Sequence, residues 1–180
     1  NIAVYPASEM SADSIADFGA DHVVVATGSE WRRDGVGVLG MEPRRFDGAL
    51  TPDDIFAGAP IRGPVVIYDD DHYFMGGALA ERLRGLGHEV ALITPDVRIS
   101  SWTVLTDEHE FVQKRLLTAG VTLHTSQRVT GFEGGSARST CVHGGRQFEH
   151  PCQTLVLVTG RLPVDGLYPA LCEALGAQGV

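Results

Sequence analysis

Asp69, Asp70 and Asp71, followed by His72, close an apolar run where a phosphate-binding turn could stand. In a G-x-G-x-x-G turn the glycines let backbone amides approach a pyrophosphate, which then rests on the N-terminus of the next helix. Aligned from Asp69 to Phe74, the three glycine places are filled by Asp69, Asp71 and Phe74. Together with Asp70, the aspartates put three carboxylates where a dianion would sit, and Asp71 reads as an N-cap that satisfies the positive helix end. The acidic residue expected to hold a ribose after the second strand is also missing, because Thr94 and Pro95 take that place. These residues imply a retained scaffold that has lost ordinary NAD binding; a non-standard nucleotide mode is the alternative. A hard-metal site on Asp69-Asp70-Asp71-His72 is disfavoured, since adjacent side chains in a turn diverge and no partner cluster accompanies them.

The elements that must position this turn follow from pattern. Pro64 to Tyr68 is a buried-strand run; Met75, Leu79, Leu83 and Leu86 form a helical stripe ending at Gly87; His88 to Ile93 is a second parallel strand. A second helix is expected near Thr106 to Thr118 with Thr106 as N-cap, then a third parallel strand at Val121 to His124. Arg128 to Phe132, Arg138 to His143 and Arg146 to Glu149 read as an antiparallel meander, the last two joined by Gly144-Gly145. Thr154 to Val158 is the final strand, running into Thr159-Gly160-Arg161. Upstream, Asn1 to Tyr5 reads as a strand entered in mid-fold, which suggests a fragment. Ser11 caps a helix that ends at Gly19, and His22 to Gly28 reads as a strand. Trp31 to Pro60, rich in Gly, Arg, Pro and Asp, reads as a connection, and Leu162 to Val180 begins an element without completing it.

Hydrophobic content of 43%, charged content of 21% and 22 glycines describe an α/β chain with many tight turns. A net charge of -9 argues against nucleic acid or an anionic membrane as partner, and no apolar run is long enough for a membrane span. Cys141, Cys152 and Cys172 have no C-x-x-C or metal-ligand spacing, so a redox-active disulfide is excluded and an iron-sulfur cluster cannot be ligated by this chain alone. The odd cysteine count and absence of a leader-like opening favour the cytoplasm.

The other reactive residue types carry weaker signals. His22, His72, His88, His109, His124, His143 and His150 pair with no nucleophile or metal motif and read as surface or strand-end residues. Trp102 reads as a loop residue packed over the sheet, with an electron-path or partner role as the alternative. Arg32, Arg33, Arg44 and Arg45 read as solvated or interdomain ion pairs, with an adenosine phosphate or acidic partner as the alternative. Thr27-Gly28 and Thr159-Gly160 suit strand ends that pass close to a loop or cofactor.

The order strand, degenerate turn, helix, strand, helix, strand, meander and Val-x-Val-Thr-Gly resembles the NAD-type domain of two-dinucleotide-domain flavoproteins, and Gly19 to Gly28 resembles their FAD-type segment. Gly19-Ala20-Asp21-His22, Tyr73-Phe74-Met75, Trp102-Thr103 and Leu157 to Arg161 resemble the trimethylamine, dimethylamine and histamine dehydrogenases, over nearly the whole chain. The resemblance implies an α/β fold: a Rossmann-like NAD(P)-type domain with a parallel sheet and an inserted three-stranded antiparallel meander, plus part of an FAD-type domain. Residues 1–50 would be the FAD/ADP-type segment and connection, 51–160 the degenerate NAD(P)-like domain, and 161–180 the return segment. It further implies an FMN-bearing TIM barrel with a 4Fe-4S cluster elsewhere in the polypeptide, amine oxidation at that FMN, an electron-transferring flavoprotein as acceptor and a homo-oligomeric enzyme. ADP is implied near Ala26, Thr27, Gly28 and Ser29. The related 2,4-dienoyl-CoA reductases keep the glycines, so an NAD(P)H-dependent flavin reductase is one alternative function and a partner-docking module without nucleotide is another.

Overall fold

A computed structural model describes residues 2–176, which divide into two compact units, one of residues 2–30 with 163–176 and the other Trp31–Leu162. In chain order the elements are α1 (Ala12–Phe18), β1 (Ser29–Trp31), α2 (Pro52–Phe56), β2 (Val65–Asp69), α3 (Phe74–Gly85), β3 (Val90–Ile93), α4 (His109–Thr118), β4 (Thr122–His124), β5 (Gln127–Glu133), β6 (Ser136–Cys141), β7 (Gln147–Pro151), β8 (Thr154–Val158), β9 (Arg161–Pro163) and α5 (Leu167–Ala174).

The larger unit is a mixed α/β fold. Four strands pair in parallel in the order β4-β3-β2-β8, and β5-β6-β7 form a separate antiparallel sheet. A two-sided core explains why β2 and β8 are apolar without alternation. Val65 and Ile67 face a cluster with Leu79, Leu83, Val112 and Leu116 from α3 and α4. Val66 and Tyr68 face the opposite cluster, with Val129 and Ala137 of the meander. Val65, Val66, Ile67 and Tyr68 are at most 1% exposed, and burying each such side chain is worth about 1.5–3 kcal/mol. That places the rigid end of β2 directly beneath the aspartate turn.

Local signals set the helix ends. After α3, Gly87 takes φ +89°, His88 N donates to Leu83 O at 3.1 Å and Gly87 N to Arg84 O at 2.9 Å, a Schellman arrangement. Ser11 Oγ accepts from Ser14 N and Gly19 closes α1 at φ +68°, as the sequence indicates. The second helix starts later than expected. Ser101–Thr106 forms a 3-10 turn, Thr106 Oγ1 donates to Thr103 O and Glu108 Oε2, and α4 begins at His109 with Glu108 at the N-cap place. Thr106 is thus spent on the preceding turn.

Three other expectations change. His22 to Gly28 forms no strand among the described residues: Val24 is 89% exposed, and the strand of this region is β1, which pairs with β9. Residues 2–5 are likewise not a strand, and Asn1 lies outside the described residues. The 31–60 stretch is more than a connection. Leu50 N donates to Leu155 O and Leu157 N to Leu50 O, so Leu50 bridges to β8 beside the core residues Trp31 and Ile55. Asp54 Oδ2 accepts from Thr51 N at 2.8 Å and starts α2, a signal carried by Thr51-Pro52-Asp53-Asp54 that hydrophobic periodicity does not report. In the smaller unit the tail forms α5, which packs with α1; residues 177–180 lie outside the described residues.

Candidate functional site

The parallel strand β2 carries Asp69 and Asp70 into full burial, each with 0% exposure, and the two carboxylates point to different partners. Asp69 Oδ1 accepts the N–H groups of Asp71 at 3.2 Å and His72 at 3.1 Å, closing the turn on itself. Its Oδ2 has no hydrogen-bond partner and rests against Gly76, where an added Cβ would lie 2.5 Å away. Burial pushes the Asp69 pKa up to about 7, against the lowering effect of the His72 N–H and charge, so this carboxyl keeps its proton up to near-neutral pH.

Asp70 turns toward a loop from the 31–60 stretch. Its carboxylate accepts Leu39 N at 3.0 Å and Gly40 N at 2.7 Å, and Val38 N donates to its backbone carbonyl at 2.9 Å. A Cβ at Gly37 would lie 2.6 Å from the Asp70 side chain, and one at Gly40 2.8 Å from Oδ2, so only glycine lets this loop come so close. Gly160 N donates to Val36 O at 2.7 Å, while Arg128 Nη2 donates to Leu39 O at 2.9 Å. Residues 36–40 therefore lie over the carboxyl ends of β2 and β8. In open α/β sheets that is the crevice where ligands bind.

His72 completes the cluster. It is 1% exposed and left-handed at φ +62°, a conformation seldom adopted by a non-glycine residue. Its Nε2 lies 2.9 Å from Asp70 Oδ1 in an oblique charge contact, and Nδ1 lies 3.4 Å from Thr94 Oγ1 and 4.0 Å from Asp96 Oδ2. Burial disfavours the imidazolium, but Asp70, Asp69 and Asp96 outweigh it and hold the His72 pKa above its ordinary value. Asp71 is half-buried, 3.5 Å from Arg161 Nη2; burial raises its pKa while Arg161 and His72 oppose the rise. The arrangement is a self-compensated set of charges, not a nest of free amides.

The sequence brings Asp69, Asp70 and Asp71 to this place, with two corrections. Asp71 is not the N-cap of α3: Tyr73 holds that place without a side-chain cap, because the turn runs two residues longer than the six-residue glycine motif allows. For the same reason Phe74 does not stand in the third glycine position. It is the first residue of α3, its ring 4.2 Å from that of Tyr73, and Gly76 makes the close helix-strand approach. Gly76, His72, Asp96 and the Gly37-x-x-Gly40 loop were not legible as site residues. The signals available were Gly76-Gly77 inside a helical stripe, where glycine is costly, and the Gly35-x-Gly37-x-x-Gly40 spacing.

Ala26, Thr27, Gly28 and Ser29 belong to the smaller unit, Ser29 at the start of β1, and are exposed. Gly28 turns at φ +77° with open space where a Cβ would be, Thr27 Oγ1 donates to Val164 O, and Val164 N donates to Gly28 O at 3.0 Å. Arg32, Arg33, Arg44 and Arg45 each contact a carboxylate, of Asp34, Asp54, Glu42 and Asp47 respectively. Trp102 is 46% exposed, its ring 6.3 Å from that of His72. Among the described residues no helix is long and apolar enough to cross a membrane.

A parallel sheet with an inserted antiparallel meander makes this a mixed α/β domain, and residues 50–135 match the family model "OYE-like second alpha/beta domain". Dimethylamine dehydrogenase of Hyphomicrobium sp. (strain x) is 30% identical over 186 residues, covering 90% of this chain and 25% of that protein. Histamine dehydrogenase from Rhizobium sp. 4-9 superposes with a TM-score of 0.87 at 36% identity, covering 94% of this chain and 27% of that one. The 6-hydroxypseudooxynicotine amine oxidase of Pseudomonas geniculata N1 gives 0.86 at 36% identity, over 92% and 25%. The chain is similar to the C-terminal region of the trimethylamine, dimethylamine and histamine dehydrogenases. It spans about a quarter of the length of these relatives.

Proposed function

We propose that this chain is the noncatalytic C-terminal α/β part of an FMN- and iron-sulfur-dependent amine dehydrogenase, whose substrate is a small amine and whose electrons leave to an electron-transferring flavoprotein. The observation that carries the reading is the Asp70 carboxylate holding residues 36–40 over the sheet end. A dinucleotide needs free amides and space at that turn. Here Asp69 Oδ1 takes the amides of Asp71 and His72, Asp70 takes those of Leu39 and Gly40, and Gly76 already abuts Asp69. The residues present do not fit NAD(P), and we assign the domain as a Rossmann-like scaffold that has exchanged its nucleotide for internal contacts.

In this reading FMN and the 4Fe-4S cluster belong to a TIM barrel in the remainder of the polypeptide, in a homo-oligomeric cytoplasmic enzyme. FMN supplies the two-electron oxidation of the amine there, and the cluster supplies single-electron transfer. The part of this chain directed toward ADP would be Ala26, Thr27, Gly28 and Ser29; the open surroundings of Gly28 suit close backbone approach. Mixing the full-length protein anaerobically with amine or with NADPH tests the proposal. Flavin bleaching by amine and none by NADPH is expected. Bleaching by NADPH would instead make the protein a reductase of the 2,4-dienoyl-CoA type, and unchanged transfer to the acceptor protein after deletion of this region would remove any docking role.

A further inference from the structure

Residues 36–40 hang on Asp70. Leu39 N and Gly40 N donate to its carboxylate and Val38 N to its carbonyl, while Gly160 N holds Val36 O and Arg128 Nη2 holds Leu39 O. Val38 is 42% and Leu39 46% exposed, so apolar burial adds little to the hold on this segment. All of these groups lie in the unit Trp31–Leu162.

His72 meets the same carboxylate from the other side. Its Nε2 lies 2.9 Å from Asp70 Oδ1, and its Nδ1 lies 3.4 Å from Thr94 Oγ1 and 4.0 Å from Asp96 Oδ2. Asp69 and Asp71 of the same turn act on the ring electrostatically, and Trp102 brings an uncharged ring to 6.3 Å. His72, Asp69 and Asp70 are at most 1% exposed, so a change of charge among them is not hydrated from outside. A buried charge that loses its partner gains most from water, and residues 36–40 stand over this one.

We propose that His72 is a proton-operated latch: protonated, it keeps Asp70 on the amides of Leu39 and Gly40, and on losing the proton it lets residues 36–40 lift so that water reaches the carboxylate. The latch rests on the internal-anion reading of Asp70. Its direction follows from the surrounding groups. Burial disfavours the imidazolium, but Asp70, Asp69 and Asp96 outweigh it and raise the His72 pKa, so the latch is closed at acid pH and opens as pH rises through the folded value. Asp69, which burial pushes up to about 7, ionises over the same rise and adds negative charge to the same turn. The two titrations therefore act together.

Hydrogen–deuterium exchange of the full-length protein at about pH 6 and about pH 9, on either side of the ordinary histidine value, tests the latch at the amides of Leu39 and Gly40. Rates are corrected for the intrinsic pH dependence of exchange, and the amides paired between β6 and β7 serve as reference. His72→Asn is the variant, because asparagine tolerates the left-handed backbone of this position and does not titrate. The expected wild-type protection is about tenfold or more lower at the higher pH, with the variant at that lower level already at the lower pH and the reference amides unchanged. Equal wild-type protection at both pH values, a comparison that needs no variant, overturns the latch and leaves the Asp70 contact standing; so does wild-type protection of His72→Asn at the lower pH. Absence of protection in the wild type at the lower pH overturns both the latch and the internal-anion reading.

Discussion

The Asp70 carboxylate accepts the backbone N–H of Gly40 at 2.7 Å, and with Leu39 N at 3.0 Å this makes the side chain an internal anion for a loop of its own chain. The geometry inverts a phosphate site. The anion comes from the strand end and the amides come from the loop. His72 Nε2 lies 2.9 Å from the same carboxylate, so both faces of this anion are met by groups of the chain itself.

Removing Asp70 should therefore be expensive. Asp70→Ala leaves two loop amides and the buried His72 without their partner, and loss of one member of a buried pair costs about 3–5 kcal/mol. Asp70→Asn, which retains an acceptor, should lose less. Urea denaturation of the two variants against wild type measures the difference. A cost below about 1 kcal/mol for Asp70→Ala would contradict the assignment of this contact.

Two glycines in one helix should respond with opposite sign. Glycine inside a helix is roughly 0.5–1 kcal/mol worse than alanine when space is available. At Gly85 an added Cβ meets nothing within 4 Å, so Gly85→Ala should raise the melting temperature. At Gly76 it would stand 2.5 Å from the fully buried Asp69, so overpacking of about 1–3 kcal/mol outweighs the helix gain and the melting temperature should fall.

Asp69 gives a pH dependence with a definite sign. Its folded pKa of about 7 exceeds the unfolded value of about 3.9, so the folded state binds the extra proton between them. Its contribution to stability is complete below the unfolded pKa and is lost as pH rises through about 7. The raised His72 acts in the same direction. His124 and His150, with lowered values, act oppositely: their contribution is present above the unfolded histidine pKa and is lost as pH falls through the folded values. Asp69→Asn, which cannot ionise, should flatten the decline in stability between about pH 4 and 7. Denaturation midpoints across that range, compared with wild type, check it; an unchanged slope would contradict the buried proton.

The start of α2 depends on a single carboxylate. Asp54 accepts Thr51 N at 2.8 Å and is gripped by Arg33 at 2.7 and 2.8 Å, with Arg33 holding its pKa down to about 2. Asp54→Ala should cost about 1 kcal/mol, the usual loss of a helix cap, read as a shift in denaturation midpoint. Loss of Leu50 pairing to β8 would make the cost larger.

Long-range order was legible where pattern and period agree. β8 occupies the residues that the apolar run marks, and the meander follows the hairpin signals, because strands buried on one or both faces must be apolar on those faces. The aspartate turn was legible as a departure from glycine. Its contents were not. His72 and Asp96 are brought to it by a turn and a separate strand end, and residues 36–40 reach it through glycine contacts that no periodicity encodes. Asp71 was misplaced because the position of a cap depends on the length of the turn, which the glycine template set two residues too short.

Calorimetric titration of the full-length protein with NADH and NADPH tests most directly whether the turn after β2 has closed to nucleotides. The account predicts no saturable heat up to millimolar cofactor, in wild type and in a Gly40→Ala variant alike. Stoichiometric binding at submillimolar concentration would show that residues 36–40 yield to a pyrophosphate, and would contradict the internal-anion reading of Asp70.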